Sequence, residues 1–238
     1  MNLKNACLLA LSLFLVIQAP RIHRATLRSY VGSKVVRVVD KSGRHGGTGF
    51  YVQAPSGLSY ILTNSHVCDL QDKGIVHIVD HDGAPMVPHK VLEDSDTSDL
   101  CLIEGDGRSG LGIGSETMGE IVYLIGHPKL QPLTMGSGEL VGQDIMQVFD
   151  HFEPTKDSCN KPKHRRVKID MLFLPMEACI ISINSYLSNI VALPGSSGSP
   201  LVNYRGQLVG VLYAGDAEGG NWGIFVTLDD INEFLENR

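Results

Sequence analysis

The apolar stretches of this chain are short, and most of them end at a Gly, Asp, Asn or Pro. Runs such as Ile61–Thr63, Leu100–Ile103 and Val122–Ile125 are too brief to establish a helical period. Short apolar or β-branched runs bounded by turn formers read as strands. Their recurrence through 238 residues, with 26 Gly and 11 Pro to supply the turns, predicts an all-β chain built as one large unit or two small barrels. No internal sequence repeat is visible. The Gly-rich, charged stretch Glu104–Gly119 is the expected linker between barrels. The ending LDDINEFLENR departs from the pattern. Leu228, Ile231, Phe234 and Leu235 fall at helical spacing behind Asp229 and Asp230, which predicts a terminal helix docked on the second barrel.

Three runs carry residues suited to acyl transfer. PGSSGSPL, Pro194–Leu201, contains a G-x-S-G string. It offers a hydroxyl nucleophile among glycines that let backbone N–H groups gather around a developing oxyanion. ILTNSHVC, Ile61–Cys68, presents His66 where a strand gives way to a turn or short helix. SDLCLIEG, Ser98–Gly105, places Asp99 ahead of a short apolar strand. Each alone has a plainer reading, as a turn, a structural imidazole and a turn cap. Together, in the order His66, Asp99, Ser197, they supply a nucleophile, a base and a carboxylate to orient that base.

The chain resembles the trypsin-like serine proteases of the chymotrypsin fold, nearest to the bacterial HtrA/Deg and glutamyl endopeptidase branches. The resemblance rests on GGTGFYV (Gly46–Val52), ILTNSHV, DLCLI, VYLIGHP (Val122–Pro128), LTMGSGELVG (Leu133–Gly142), PGSSGSPLVN and GIFVTLDDINEFLEN (Gly223–Asn237), in register from about Val35 onward. It implies two six-stranded Greek-key β-barrels with a C-terminal α-helix, residues 27–112 and 113–238 of a peptidase domain 27–238. No appended peptide-binding (PDZ) domain is expected. Carried over by position, Ser197 is the nucleophile, His66 the general base and acid, and Asp99 the orienting carboxylate. Gly195 and Ser197 supply the oxyanion N–H groups. Ser196 and Ser199 are nearby hydroxyls, but the spacing before Gly198 selects Ser197. Asp94 and Asp96 lie in EDSDTSD, which reads as a solvated turn.

The resemblance further implies a serine endopeptidase working through an acyl-enzyme on polypeptide substrates. Its primary pocket would be walled by Val191, Ala192 and Leu193 and by Leu212, Tyr213, Ala214 and Gly215. Neither segment holds an Asp or Lys, so an apolar pocket is expected. Glutamyl endopeptidases place a His where this chain has Leu212, which argues against cleavage after Glu. The alternative is a silent or latent trypsin-like fold serving as a binding module.

Residues 1–26 are expected to be a signal peptide or membrane anchor. Lys4 precedes an apolar stretch from Ala6 to Ile17, too short for a typical span. Export to a periplasm or beyond, or membrane association through residues 1–20, follows. Net charge of −6 argues against general affinity for nucleic acid. Setting Cys7 aside, four cysteines allow three full pairings. Cys101 reads as a buried free thiol and Cys68 as a core residue, and Cys159 and Cys179, which flank the basic run, are the candidates for a bridge. The basic run Lys161, Lys163, His164, Arg165, Arg166 and Lys168 reads as a solvated loop inserted in the second barrel. His77, Asp80, His81 and Asp82 read as a strand end running into a polar turn, no zinc spacing appears, and nothing in the sequence calls for a cofactor.

Overall fold

The computed structural model describes residues 20–69, 74–95, 97–152, 164–171, 174–215, 222–236 and 238. The short apolar runs fold as strands, and their pairing divides at Gly112. Before it lie β1 (Val35–Val39), β2 (Gly46–Gln53), β3 (Ser59–Thr63), β4 (Ile75–Asp80), β5 (Val87–Ser95) and β6 (Leu100–Ile103). These form a closed barrel in the order β1-β2-β3-β6-β5-β4, closed by antiparallel pairing of β1 with β4. After it lie β7 (Ile121–Gly126), β8 (Thr134–Phe152), β9 (His164–Met171), β10 (Leu174–Ser188), β11 (Pro200–Val202), β12 (Leu208–Gly215) and β13 (Gly223–Val226). Their order is β13-β12-β11-β7-β8-β10-β9, and β10 also pairs with β13. That last pairing closes six strands into a second barrel and leaves β9 outside on β10. Leu111 bridges to Val52 of the first barrel and Ile113 to Leu208 of the second, so the chain changes barrels across Gly112.

β1, β6 and β12 read as near-continuous apolar runs because both of their faces are covered. On β2, Phe50 and Val52 join a core cluster that continues into the second barrel, while Tyr51 between them joins a separate cluster with Ile61 and Val76. This is the two-residue period of a strand with one face to each cluster. The terminal helix forms as expected, at Leu228–Leu235. Thr227 caps it by accepting from the Asp230 N–H, and Asp229 and Asp230 complement the positive end of its dipole.

Three features depart from the sequence reading. A helix, α1, occupies residues 20–32 and so runs across the expected leader boundary at residue 26. Leu27 and Val31, one turn apart, are buried against the second barrel. Arg28 and Arg24 donate to the Leu133 and Met135 carbonyls at 2.8 and 3.3 Å. The basic run is not wholly a loop: His164 to Lys168 lie in β9, paired with β10, while Lys161 and Lys163 fall outside the described residues. Edge strands carry charge readily, which is why the composition there resembled a loop. Likewise Asp94, read as part of a turn, lies in β5 opposite Cys101, and Asp96 falls outside the described residues.

The cysteines give the third departure. Cys68 and Cys101 are not free thiols but form a disulfide across 33 residues, with Cα atoms 6.5 Å apart. Cys179 is also disulfide-bonded, and Cys159, the partner expected for it, lies outside the described residues. Closing a loop of that size restricts the unfolded chain by about 3–4 kcal/mol. Replacing both Cys68 and Cys101 by Ala is expected to lower the midpoint of thermal unfolding by roughly 10 °C, read by calorimetry.

Candidate active site

His66 sits in a single helical turn, α2 (Ser65–Cys68), which begins where β3 ends. Asp99 occupies the turn leading into β6 and adopts a left-handed backbone, φ 51°. Such a conformation is uncommon outside glycine and marks a position held by its surroundings. The holding contacts are visible. Asn64 donates from Nδ2 to the Asp99 carbonyl at 2.9 Å, and the His66 N–H donates to Asp99 Oδ1 at 3.0 Å. The disulfide then ties the residue two after His66 to the residue two after Asp99.

The side chains meet directly. His66 Nδ1 lies 2.8 Å from Asp99 Oδ2 and 3.1 Å from Oδ1. With the carboxylate as acceptor, Nδ1 carries the proton and Nε2 keeps its lone pair. The Asp99 side chain is 15% exposed and the imidazole 47%, so the carboxylate is sheltered while the ring keeps an open edge. Burial is the largest single influence on His66 and pushes its pKa down. The hydrogen bond and charge of Asp99, with a smaller contribution from Asp69, outweigh it, and the net direction is up from 6.5.

Ser197 lies in a turn of the second barrel, and the backbone groups around it can be accounted for one by one. The Pro194 carbonyl accepts from Lys129 N at 2.6 Å, and the Ser196 carbonyl accepts from Ser199 N at 2.9 Å. The Gly195 carbonyl accepts from Thr48 Oγ1 at 3.1 Å. The Ser197 carbonyl accepts from Thr48 N at 2.8 Å. Of the amides, Ser196 N donates to Leu193 and Gly198 N to Leu212, at 3.0 and 2.8 Å. Among the described residues the Gly195 and Ser197 N–H groups have no such partner. In a trans peptide the N–H points opposite to the carbonyl, so pinning the Pro194 and Ser196 carbonyls turns both free N–H groups away from those anchors.

Two glycines are obligatory here. Gly195 has φ 82°, and a Cβ on it would lie 2.7 Å from Lys129 N. Gly198 has φ 83°, and a Cβ there would strike the Thr48 carbonyl and Thr63 Oγ1.

Around the turn, Val191 and Leu193 are exposed, and Ala192 packs against Gly215, where an added Cβ would fall 2.8 Å from the Ala192 Cβ. Leu212 is buried and spans the turn, its N–H going to the Ser199 carbonyl and its carbonyl to Gly198 N. Tyr213 sits where the register with β13 shifts between Leu212 and Ala214, and its hydroxyl meets Ser185 Oγ at 2.8 Å. Burial pushes that phenol well up, against the lowering effect of the Ser185 bond, and the Asp99 charge adds to the rise. Of the possible metal ligands, Asp80 is taken up by Arg108 at 2.6 Å.

Sequence reasoning missed Thr48, His127 and Lys129, whose backbone or hydroxyl groups brace the turn. Thr48 and His127 lie inside the motifs GGTGFYV and VYLIGHP, and Lys129 directly follows the second. That proximity was the available signal. His127 is fully buried, donates its N–H to Thr48 Oγ1 at 3.0 Å, and pairs Nδ1 with the Gln131 carbonyl at 2.9 Å.

The chain belongs to the family of the trypsin-like peptidase domain, whose match covers residues 47–211. Among curated proteins it is similar to the "Probable periplasmic serine endoprotease DegP-like" of Chlamydia pneumoniae, 31% identical over 172 residues, 69% of this chain. It spans 28% of that relative's length. Among solved structures it is similar to the Rv3671c protease of M. tuberculosis. The inactive form is 18% identical over 92% of this chain and 95% of that one, TM-score 0.64. The active form is 17% identical over 91% and 86%, TM-score 0.63. The serine endoprotease from Yersinia pestis is 18% identical over 89% of this chain and 64% of that one, TM-score 0.62. These structural likenesses establish the same fold.

Two titrations follow from the site. Asp99→Asn removes the two larger influences that raise His66 and leaves only Asp69 against burial, so the His66 pKa should fall below 6.5 when followed by NMR. His127 behaves oppositely: burial, then the charges of Arg37 and His81, hold it below 6.5 despite the Gln131 bond. A buried neutral imidazole with a lowered pKa stabilises the fold above its unfolded value, and the benefit is lost as pH falls toward the folded value. His127→Asn should therefore flatten the loss of stability below about pH 6.5, measured by urea unfolding across pH.

Proposed function

We propose that the chain is a serine endopeptidase that cleaves polypeptides through an acyl-enzyme. Ser197 is the nucleophile, His66 takes and returns the proton through Nε2, and Asp99 holds the imidazole tautomer and stabilises the imidazolium. The Gly195 and Ser197 N–H groups receive the oxyanion. The observation that carries this reading is the turn itself: the carbonyls from Pro194 to Ser197 and the N–H groups of Ser196, Gly198 and Ser199 are engaged, while among the described residues the Gly195 and Ser197 N–H groups have no partner. A latent fold would be expected to have them turned inward or occupied.

The primary pocket is apolar, with Val191–Leu193 on one side and Leu212–Gly215 on the other. The packing of Ala192 on Gly215 supports the two segments as facing walls. Small or medium aliphatic and aromatic side chains are the preferred occupants. Beyond the pocket, the exposed backbone around Ala214 and Gly215 would take the substrate as an added strand. The protein works in an exported setting, in a periplasm, secreted or anchored through residues 1–20. The periplasmic naming of the Chlamydia relative supports this, as does the Cys68–Cys101 disulfide, since such bonds persist in oxidising compartments. Among the described residues no helix is long and apolar enough to cross a membrane.

A fluorophosphonate probe should label the wild type and neither Ser197→Ala nor His66→Ala. Failure to label the folded wild type would overturn the proposal. Asp99→Asn should lower kcat by about four orders of magnitude. Because the base must be neutral, kcat/KM should rise with pH through an inflection above 6.5, the raised His66 value.

A further inference from the structure

Thr48 is a fully buried residue of β2, in the first barrel, at a position where a β-branched apolar side chain would fit the strand equally well. Its hydroxyl is instead fully used. It accepts from His127 N at 3.0 Å and donates to the Gly195 carbonyl at 3.1 Å. Both partners belong to the second barrel, and neither has another hydrogen-bond partner among the described residues. Thr48 N donates to the Ser197 carbonyl at 2.8 Å, and its carbonyl accepts from Thr63 Oγ1 at 2.7 Å. One residue of the first barrel thus grips the turn on both sides of Ser196.

We propose that Thr48 is a positioning residue for the oxyanion-binding turn, its hydroxyl fixing the Gly195 peptide so that the Gly195 and Ser197 N–H groups face the reacting carbonyl. The proposal rests on the serine endopeptidase reading and deepens it. The Gly195 carbonyl and the Ser196 N–H belong to one peptide plane. Leu193 holds that plane by its N–H and Thr48 by its carbonyl, so the plane cannot rotate while both bonds stand. Without the hydroxyl, the carbonyl is left buried and unpaired, and rotation of the plane toward another donor becomes favourable. That plane lies between the two that carry the Gly195 and Ser197 N–H groups and shares a Cα with each, so its rotation pulls on the orientation of both. The nucleophile and base are untouched, so the loss falls on oxyanion stabilisation, which acts on the transition state and not on substrate binding.

The test compares Thr48→Val, which keeps the shape and removes the hydroxyl, with Thr48→Ser, which keeps the hydroxyl and removes the methyl. Two readouts are taken on the full chain. One is the rate of fluorophosphonate labelling together with kcat and KM on a peptide substrate. The other is amide hydrogen exchange of the 193–199 segment. Thr48→Val is expected to lower kcat roughly 10- to 100-fold with KM nearly unchanged, and to speed exchange of the segment by about tenfold. Thr48→Ser is expected to stay within about threefold of wild type in kcat and to preserve the exchange pattern. The proposal is overturned if Thr48→Val keeps wild-type kcat and exchange. It is equally overturned if Thr48→Ser is the more damaging variant, as a pure packing role requires. A folded wild type that fails to label refutes the peptidase reading alone, because the exchange comparison still decides whether the hydroxyl holds the turn.

Discussion

The hydrogen bond from Thr48 N to the Ser197 carbonyl joins two halves that fold as separate barrels. His66 and Asp99 belong to the first barrel and Ser197 to the second, so the proposed proton transfer requires the barrels to keep one fixed relation. A backbone bond at 2.8 Å enforces that relation at the point where it matters. Its closeness also explains the local sequence on both sides. A side chain at Gly47 would come within 2.7 Å of the Ser197 carbonyl, and one at Gly198 would strike the Thr48 carbonyl. The GGTG and GSSG strings are therefore two surfaces of one contact, small because each must let the other approach.

Within the first barrel a different constraint operates. Asp99 adopts a backbone conformation that a free loop would relax. It is retained because Asn64 holds its carbonyl, His66 holds its carboxylate, and the disulfide fastens β6 to the helical turn just beyond. The carboxylate is thereby sheltered against the imidazole. This arrangement raises the His66 pKa although burial works against it.

The barrels, the terminal helix and the meeting of His66 with Asp99 were legible because strand runs and motif order survive in a single sequence. The Cys68–Cys101 bond was not read, since a buried half-cystine and a buried thiol suit the same apolar position. A signal did exist: each cysteine follows by two a residue expected to touch the other. The strand β9 was hidden by its charge, because an edge strand facing water and a solvated loop share a composition. Thr48 lay within a recognised motif, yet its hydroxyl acts on a carbonyl 147 residues away, and only the fold brings them together. The helix α1 was not read, because its first half fell in the expected leader, 1–26, and its arginines mask the one-turn spacing of Leu27 and Val31.

That helix is joined to the turn around Ser197 through one short stretch of chain. Arg28 and Arg24 grip the carbonyls of Leu133 and Met135, a few residues after Lys129, whose N–H holds the Pro194 carbonyl. The stretch from His127 to Met135 is thus suspended between two anchors, one on α1 and one on the turn.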